Sequence, residues 1–307
     1  MNLLQREGTA RLDGSGSDCR RYPCEVFDKR LLIVTGKGGV GKSAVAAALA
    51  LRAAFDGRRV LAMAMTDDTG LAVHLGVEQL RYRPTHIRSG LDAVSIERPE
   101  ALNEYLRVQL GVPRIAQFGP LARAFDAVAS TAPGIREVIT IGKVLYEAKK
   151  GTWDLVVADG PPTGQIGSHL RAPATVARLV GAGRVLDQTG WMARLLRDTT
   201  ATGLVMVTTA EELPVTETLE SLAAISDENL VGIDGVIVNR TLGPLEGDID
   251  RLDDGPAKQA AQLHSGLFEE QERWIAHLPD GLRVPYFFGL HTPPEVAARM
   301  ADLWGDT

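Results

Sequence analysis

Residues Gly36-Lys37-Gly38-Gly39-Val40-Gly41-Lys42-Ser43 set a lysine and a hydroxyl immediately behind a run of glycines. Glycine lets successive backbone N–H groups turn inward, and a ring of such donors suits a chain of phosphates. Lys42 has the length to reach β and γ oxygens, and the Ser43 hydroxyl can enter the ligand shell of Mg2+. A helix that starts at this point adds the positive end of its dipole. The candidate binding set for a nucleoside triphosphate is therefore Gly36, Gly38, Gly39, Val40, Gly41, Lys42, Ser43 and Ala44.

A second constellation, Asp159-Gly160-Pro161-Pro162-Thr163-Gly164-Gln165, follows the apolar run Leu155–Ala158. A carboxylate at a strand tip facing a phosphate loop can hold Mg2+ through its water shell, and the glycines leave the loop free to follow the γ-phosphate. Ser43 and Asp159 are the candidate metal ligands. Asn239 closes the run Val236-Ile237-Val238 and offers an amide with both donor and acceptor. The only cysteines, Cys19 and Cys24, precede the first apolar run, so a disulfide framework and a four-cysteine zinc site are excluded. The six histidines lack ligand spacing and are expected at surface or capping positions.

The elements that must carry these groups alternate along the chain. Apolar runs of strand length occur at Leu31–Val34, Val60–Met63, Leu91–Ile96, Leu155–Ala158, Leu204–Val207, Val236–Val238 and Leu282–Phe288. Continuous rather than alternating apolarity suits strands buried on both faces of a parallel sheet. Helical patterns follow at Ser43–Phe55, Pro214–Ile225, Pro256–His277 and Pro294–Leu303, which predicts a doubly wound, mostly parallel α/β sheet. Residues 1–29 read as a flexible leader, and 30–307 as one nucleotide-binding domain with helical insertions at about 98–150 and 173–198. Within the first insertion, helices are expected at Glu100–Leu110, Ile115–Ala129 and Ile135–Lys150; the second starts at Pro173, beyond the Asp159 loop.

Composition bounds the function from the other side. The 307 residues carry 33 Lys+Arg against 39 Asp+Glu, a net charge of −6, which argues against a broad basic face for nucleic acid or anionic lipid. Hydrophobic residues make up 45 %, enough for a sizeable core. There is no stretch of about 18 apolar residues and no secretory signal pattern, so the expected location is cytoplasmic, without stable membrane insertion.

Lys37, directly after the first glycine, makes the loop resemble the deviant Walker A motif of the class that holds the arsenite-pump and tail-anchored-protein-targeting ATPases. That resemblance implies ATP as the nucleotide, and a nucleotide-sandwich dimer in which Lys37 reaches the partner's phosphates. The stretch from Asp159 to Leu170-Arg171-Ala172-Pro173 is similar to the switch II signature D-x-x-P-T-G-x…L-R-x-P of the arsenite-pump and targeting family. Thr208-Thr209-Ala210-Glu211-Glu212-Leu213-Pro214-Val215-Thr216-Glu217-Thr218 resembles its strand and helix opening with an E-T pair. By the same resemblance Asn239 reads the adenine edge, and Pro285 lies in the second adenine-side loop, where the aromatics of Tyr286-Phe287-Phe288 are equally suited to core packing. The whole is closest to small bacterial members, which often occur as paralogous pairs, so the implied partner is a second copy or a paralogue.

Two departures qualify the resemblance. Family members carry an Asp after the second strand that positions the attacking water; ungapped counting from Lys42 puts Thr66 there, and a one-residue slip restores Asp67, the residue assigned this role. The thiolates of the arsenite branch and the C-x-x-C zinc clasp of the eukaryotic targeting branch are both missing, so arsenite transport is not expected. Apolar positions Leu102, Tyr105, Leu106, Ile115, Phe118, Leu121 and Phe125, with Val185, Leu186, Trp191, Met192, Leu195 and Leu196, suit helix packing first and a groove for a membrane-protein client second. The expected function is Mg2+-dependent ATP binding and hydrolysis, with Lys37, Lys42 and Asp67 as catalytic residues. A nucleotide-gated targeting factor and a weakly active subunit of a paralogous heterodimer are the alternatives. A DNA- or membrane-bound partition ATPase ranks below them.

Overall fold

A computed structural model describes residues 28–66, 69–104, 134–179 and 184–305. Its centre is one eight-stranded sheet: β1 (Leu31–Gly36), β2 (Val60–Ala64), β3 (Thr85–Arg88), β4 (Leu91–Ser95), β5 (Leu155–Asp159), β6 (Thr202–Thr209), β7 (Ile233–Thr241) and β8 (Gly281–Pro285). The strand order is β3-β4-β2-β5-β1-β6-β7-β8, and every pairing is parallel except β3 with β4. Every residue of β1, β2, β5 and β6 is buried, which is why their sequences are continuous apolar runs.

Period-2 alternation of side chains along β1 divides the core in two. Leu32 and Val34 face α1 (Lys42–Phe55), α2 (Gly70–His74) and α9 (Pro293–Leu303). Leu31 and Ile33 face the other layer, made by α4 (Ile135–Lys150), α5 (Thr163–Leu179), α6 (Arg184–Arg197) and α7 (Glu212–Asp227). Ten of the fourteen residues of α1 are buried, seven of them alanine, with Val45, Leu49 and Leu51 as the larger side chains. The short α3 (Arg98–Glu104) and the long α8 (Pro256–Ile275) complete the described α-helices. None of the residues of α8 is buried.

Three expectations need correction. Strand β3 is absent from the sequence-based set because Thr85-His86-Ile87-Arg88 is short and mostly polar; it exists by antiparallel pairing with β4 at the edge. Helix α5 starts at Thr163, not Pro173. Its first turn closes with Gln165 and Ile166 N–H donating to the Pro162 carbonyl at 2.7 and 3.0 Å, and Pro173 lies inside it. Ile166 and Leu170, one turn apart, are the buried pair that anchors this earlier turn. Strand β8 ends at Pro285, after which Tyr286 and Phe288 are exposed and only Phe287 packs on the core. On α6, Met192 and Leu196 are buried and Trp191 and Leu195 pack against the same cluster, so that apolar face serves helix packing, the first of the two roles expected for it. The apolar positions Tyr105, Leu106, Ile115, Phe118, Leu121 and Phe125 lie outside the described residues.

Candidate functional site

Loops at the carboxyl ends of β1, β5, β7 and β8 converge where the strand order reverses, with β5 on one side of β1 and β6 on the other. Such a switch point is where open α/β sheets hold ligands. Gly36 ends β1 so near β6 that a Cβ there would sit 2.0 Å from the Val207 carbonyl oxygen. Gly38 and Gly39 are exposed at the loop tip, and Val40 is buried. Gly41 caps α1 with φ 96 and ψ 26, a left-handed conformation, and Lys42, Ser43 and Ala44 form the first turn. Helix α1 carries no acidic residue in that turn, which leaves its dipole uncompensated for an anion.

Both lysines of the loop are placed. Lys42 Nζ donates to the Lys37 carbonyl at 3.1 Å, so its side chain spans the loop it follows. Lys37 Nζ pairs with Glu217 Oε1 of α7 at 2.6 Å, with side chains 28 % and 41 % exposed, so solvent reaches the pair. Glu217 received no individual role from the sequence; its membership of the E-T pair, Glu217-Thr218, was the available signal. Asn239 is 2 % exposed near the end of β7. Its Nδ2 donates to the Val40 carbonyl at 2.9 Å, and its Oδ1 accepts from the Arg240 N–H at 2.9 Å. The amide thus braces the phosphate loop, and one further N–H and one further lone pair remain on it.

Asp159, 5 % exposed at the tip of β5, stands in register with Val34 of β1 and Ala64 of β2. The segment after it is tied to β1 twice: Gly160 N–H donates to the Val34 carbonyl at 2.8 Å, and Thr35 Oγ1 donates to the Pro161 carbonyl at 2.7 Å. Arg171 of α5 makes two hydrogen bonds of 2.5 Å to Glu228, at the end of the helix that carries Glu217. Asp67 lies outside the described residues.

Oxygen donors are the right chemistry for Mg2+, and Ser43 in the first turn of α1 and Asp159 at the tip of β5 supply a hydroxyl and a carboxylate. Among the described residues no three His, Cys, Asp or Glu side chains gather as a metal cage. A hard cation held here would take its remaining ligands from phosphate and water, as Mg2+ commonly does.

Beside Gly41 opens a cavity of about 310 Å³, lined among others by Asn239, Arg240, Pro285, Tyr286, His74 and His291. Pro285 and Asn239 thus line one cavity. His74, in the last turn of α2 with its ring against the Gly70 carbonyl, and His291, with its ring against the Phe288 carbonyl, are half-buried on the cavity wall. No short-range signal could pair them, since they come from α2 and from the loop before α9. Among the described residues no helix is long and apolar enough to cross a membrane.

The geometry can be set beside known proteins. The family described as anion-transporting ATPase matches this chain over residues 29–186, from the start of β1 into α6. The chain is similar to the ATPase BagA of Mycobacterium tuberculosis, 35 % identical over 239 residues that cover 74 % of this chain and 70 % of the relative. It is also similar to the ATPase GET3 of Phaeosphaeria nodorum, 24 % identical over 154 residues that cover 48 % and 47 %. With the glycine loop, the spanning lysine and the strand-tip carboxylate in one α/β sheet, these matches mean that the chain belongs to the anion-transporting ATPase family and is an ATPase.

Proposed function

We propose that the chain binds ATP with Mg2+ at the Gly36–Ser43 loop and hydrolyses it to drive a conformational cycle of a nucleotide-sandwich dimer, formed with a second copy or a paralogue. The observation that carries this is the assembly of an exposed glycine tip, Lys42 across the loop and an uncompensated helix N-terminus on a fully buried strand. In this proposal Lys42 and the loop amides hold the β and γ phosphates, and Ser43 and Asp159 serve the metal. Mg2+ supplies charge neutralisation at the phosphates. Phosphoryl transfer asks mainly for positioning and electrostatic stabilisation, which rigid donors at the edge of a packed sheet provide.

Lys37 is assigned to the partner's phosphates. Its contact with Glu217 is partly exposed, and such pairs are worth at most about 1 kcal/mol, so release of the lysine to a partner costs little. Asp67 is assigned to water positioning, and Asn239 with Pro285 to the base. Motion of the Asp159 segment is transmitted along α5, which the Arg171–Glu228 pair links to the helix holding Glu217. A client groove for membrane proteins draws no support from α6, whose Met192 and Leu196 are spent on the core.

The deciding experiment is Lys42→Ala in purified protein, followed by equilibrium binding of ATP and by turnover. Loss of binding or of turnover is expected, and unchanged turnover would sink the assignment of the phosphate loop. Asp159→Asn should in turn weaken the Mg2+ dependence of turnover more than binding of the nucleotide alone.

A further inference from the structure

The cavity beside Gly41 is walled by two imidazoles that phosphate and metal chemistry leave unused. His74 ends α2, and His291 lies in the loop between β8 and α9. Each commits one ring nitrogen to a backbone carbonyl: His74 Nδ1 lies 2.8 Å from the Gly70 oxygen, and His291 Nε2 lies 2.9 Å from the Phe288 oxygen. A carbonyl oxygen can only accept, so in the neutral ring the proton sits on the committed nitrogen. Nε2 of His74 and Nδ1 of His291 are then lone-pair acceptors.

The rest of the wall has a different character. The orientation of the Asn239 amide is set by its two partners, since the Val40 carbonyl can only accept and the Arg240 N–H can only donate. Arg240 brings a guanidinium, which only donates. Tyr286 adds an aromatic face, braced edge-on by Phe288 with ring centroids 4.9 Å apart and an interplanar angle of 64°. A planar base that enters this space therefore meets acceptors from the two histidines, and from the β7 end the Arg240 donors with the remaining N–H and lone pair of Asn239.

We propose that His74 and His291 select the base of the bound nucleotide by accepting hydrogen bonds from the exocyclic amino group of adenine. This rests on the assignment of ATP to the neighbouring phosphate loop. The amino group carries two N–H donors, and the imidazoles offer two lone pairs. A base with a carbonyl at that position would set lone pair against lone pair and leave the imidazole acceptors unsatisfied, which a site built around hydrogen bonds penalises strongly. Selection then falls to residues on α2 and after β8, rather than to Asn239 alone, whose amide also braces the phosphate loop.

The test compares ATP with purine riboside triphosphate, which lacks only the amino group, by competition binding to the full chain. Wild-type protein should prefer ATP roughly tenfold or more, the worth of about two hydrogen bonds. In the His74→Ala/His291→Ala double variant the preference should fall to within about twofold. A merely structural role would weaken both nucleotides together and leave their ratio intact, and that result overturns the proposal, as does a wild type without preference. Single His74→Leu and His291→Leu variants, each without an acceptor and each expected to lower the ratio, stand in if melting curves show the double variant unfolded; an unchanged ratio in both overturns it too. Lys42→Ala separates the two levels: if it leaves binding of both nucleotides intact, the phosphate-loop assignment fails, whatever the histidines do.

Discussion

Gly41→Ala strikes the point where the phosphate loop, α1 and β7 meet. Gly41 has φ 96, where a residue with a Cβ is disfavoured by roughly 1–2 kcal/mol. The added Cβ would stand 2.3 Å from Asn239 Nδ2, well inside contact distance, so the amide has to move off the Val40 carbonyl it now meets at 2.9 Å. Breaking that buried hydrogen bond costs about 1–3 kcal/mol, and the whole substitution roughly 2–5 kcal/mol. Asn239→Ala alone should lose the same bond, again about 1–3 kcal/mol. In the double variant the new methyl no longer meets an amide, so only the backbone cost adds to that of Asn239→Ala. The double variant should therefore be less destabilised than the sum of the singles by about 1–3 kcal/mol. Urea unfolding of the wild type, both singles and the double variant measures this, with ATP binding followed on the same samples. Additivity within about 0.5 kcal/mol would show that Gly41 and Asn239 do not share the space inferred for them.

Three other perturbations reach different parts of the molecule. Lys37→Ala removes a partly exposed ion pair, so unfolding should shift by less than about 1 kcal/mol while ATP turnover falls roughly tenfold or more; equal turnover removes the lysine from the reaction. Lys143 of α4 donates to Glu104 and Glu147 at 2.6 and 2.8 Å, all three largely buried, so Lys143→Met leaves two carboxylates facing each other at a cost of about 3–5 kcal/mol by calorimetry. A loss below about 1 kcal/mol would mean that water already screens the cluster. At the other end of the sheet, side-chain and backbone hydrogen bonds from Arg59 hold the Asp154 carboxyl down to about 2. A depressed carboxyl adds stability above its unfolded value, near 3.8, that is lost as pH falls through about 2. Arg59→Ala should thus melt slightly below wild type above about pH 4, with the gap closing towards pH 2 and small throughout because the pair is exposed. A gap constant from neutral pH to pH 2 refutes the linkage.

Much of this molecule was legible before any fold was considered. The core strands β1, β2, β5 and β6 announce themselves as unbroken apolar runs because both of their faces are buried. Helix α4 lies at Ile135–Lys150, as its pattern predicts, between Gly134 and Gly151, both with positive φ. The edge escaped, since β3 has one neighbour and no apolar run to betray it. So did the start of α5, because Pro173 looks like a first-turn residue while the burial of Ile166 and Leu170, which moves the start back to Thr163, depends on the sheet beneath.

The candidate site divides the same way. Its phosphate loop is eight consecutive residues whose chemistry is set by local order, so glycine spacing, lysine and hydroxyl can be read without a fold. Its cross-braces cannot. Asn239 meets Val40 from 199 residues away, Lys37 meets Glu217 from 180 away, and the cavity joins α1, α2, β7, β8 and α9. Those meetings follow from strand order and from which face of the sheet each helix covers. Periodicity along a chain records which side of an element is buried, and carries no record of which distant element comes to lie against it.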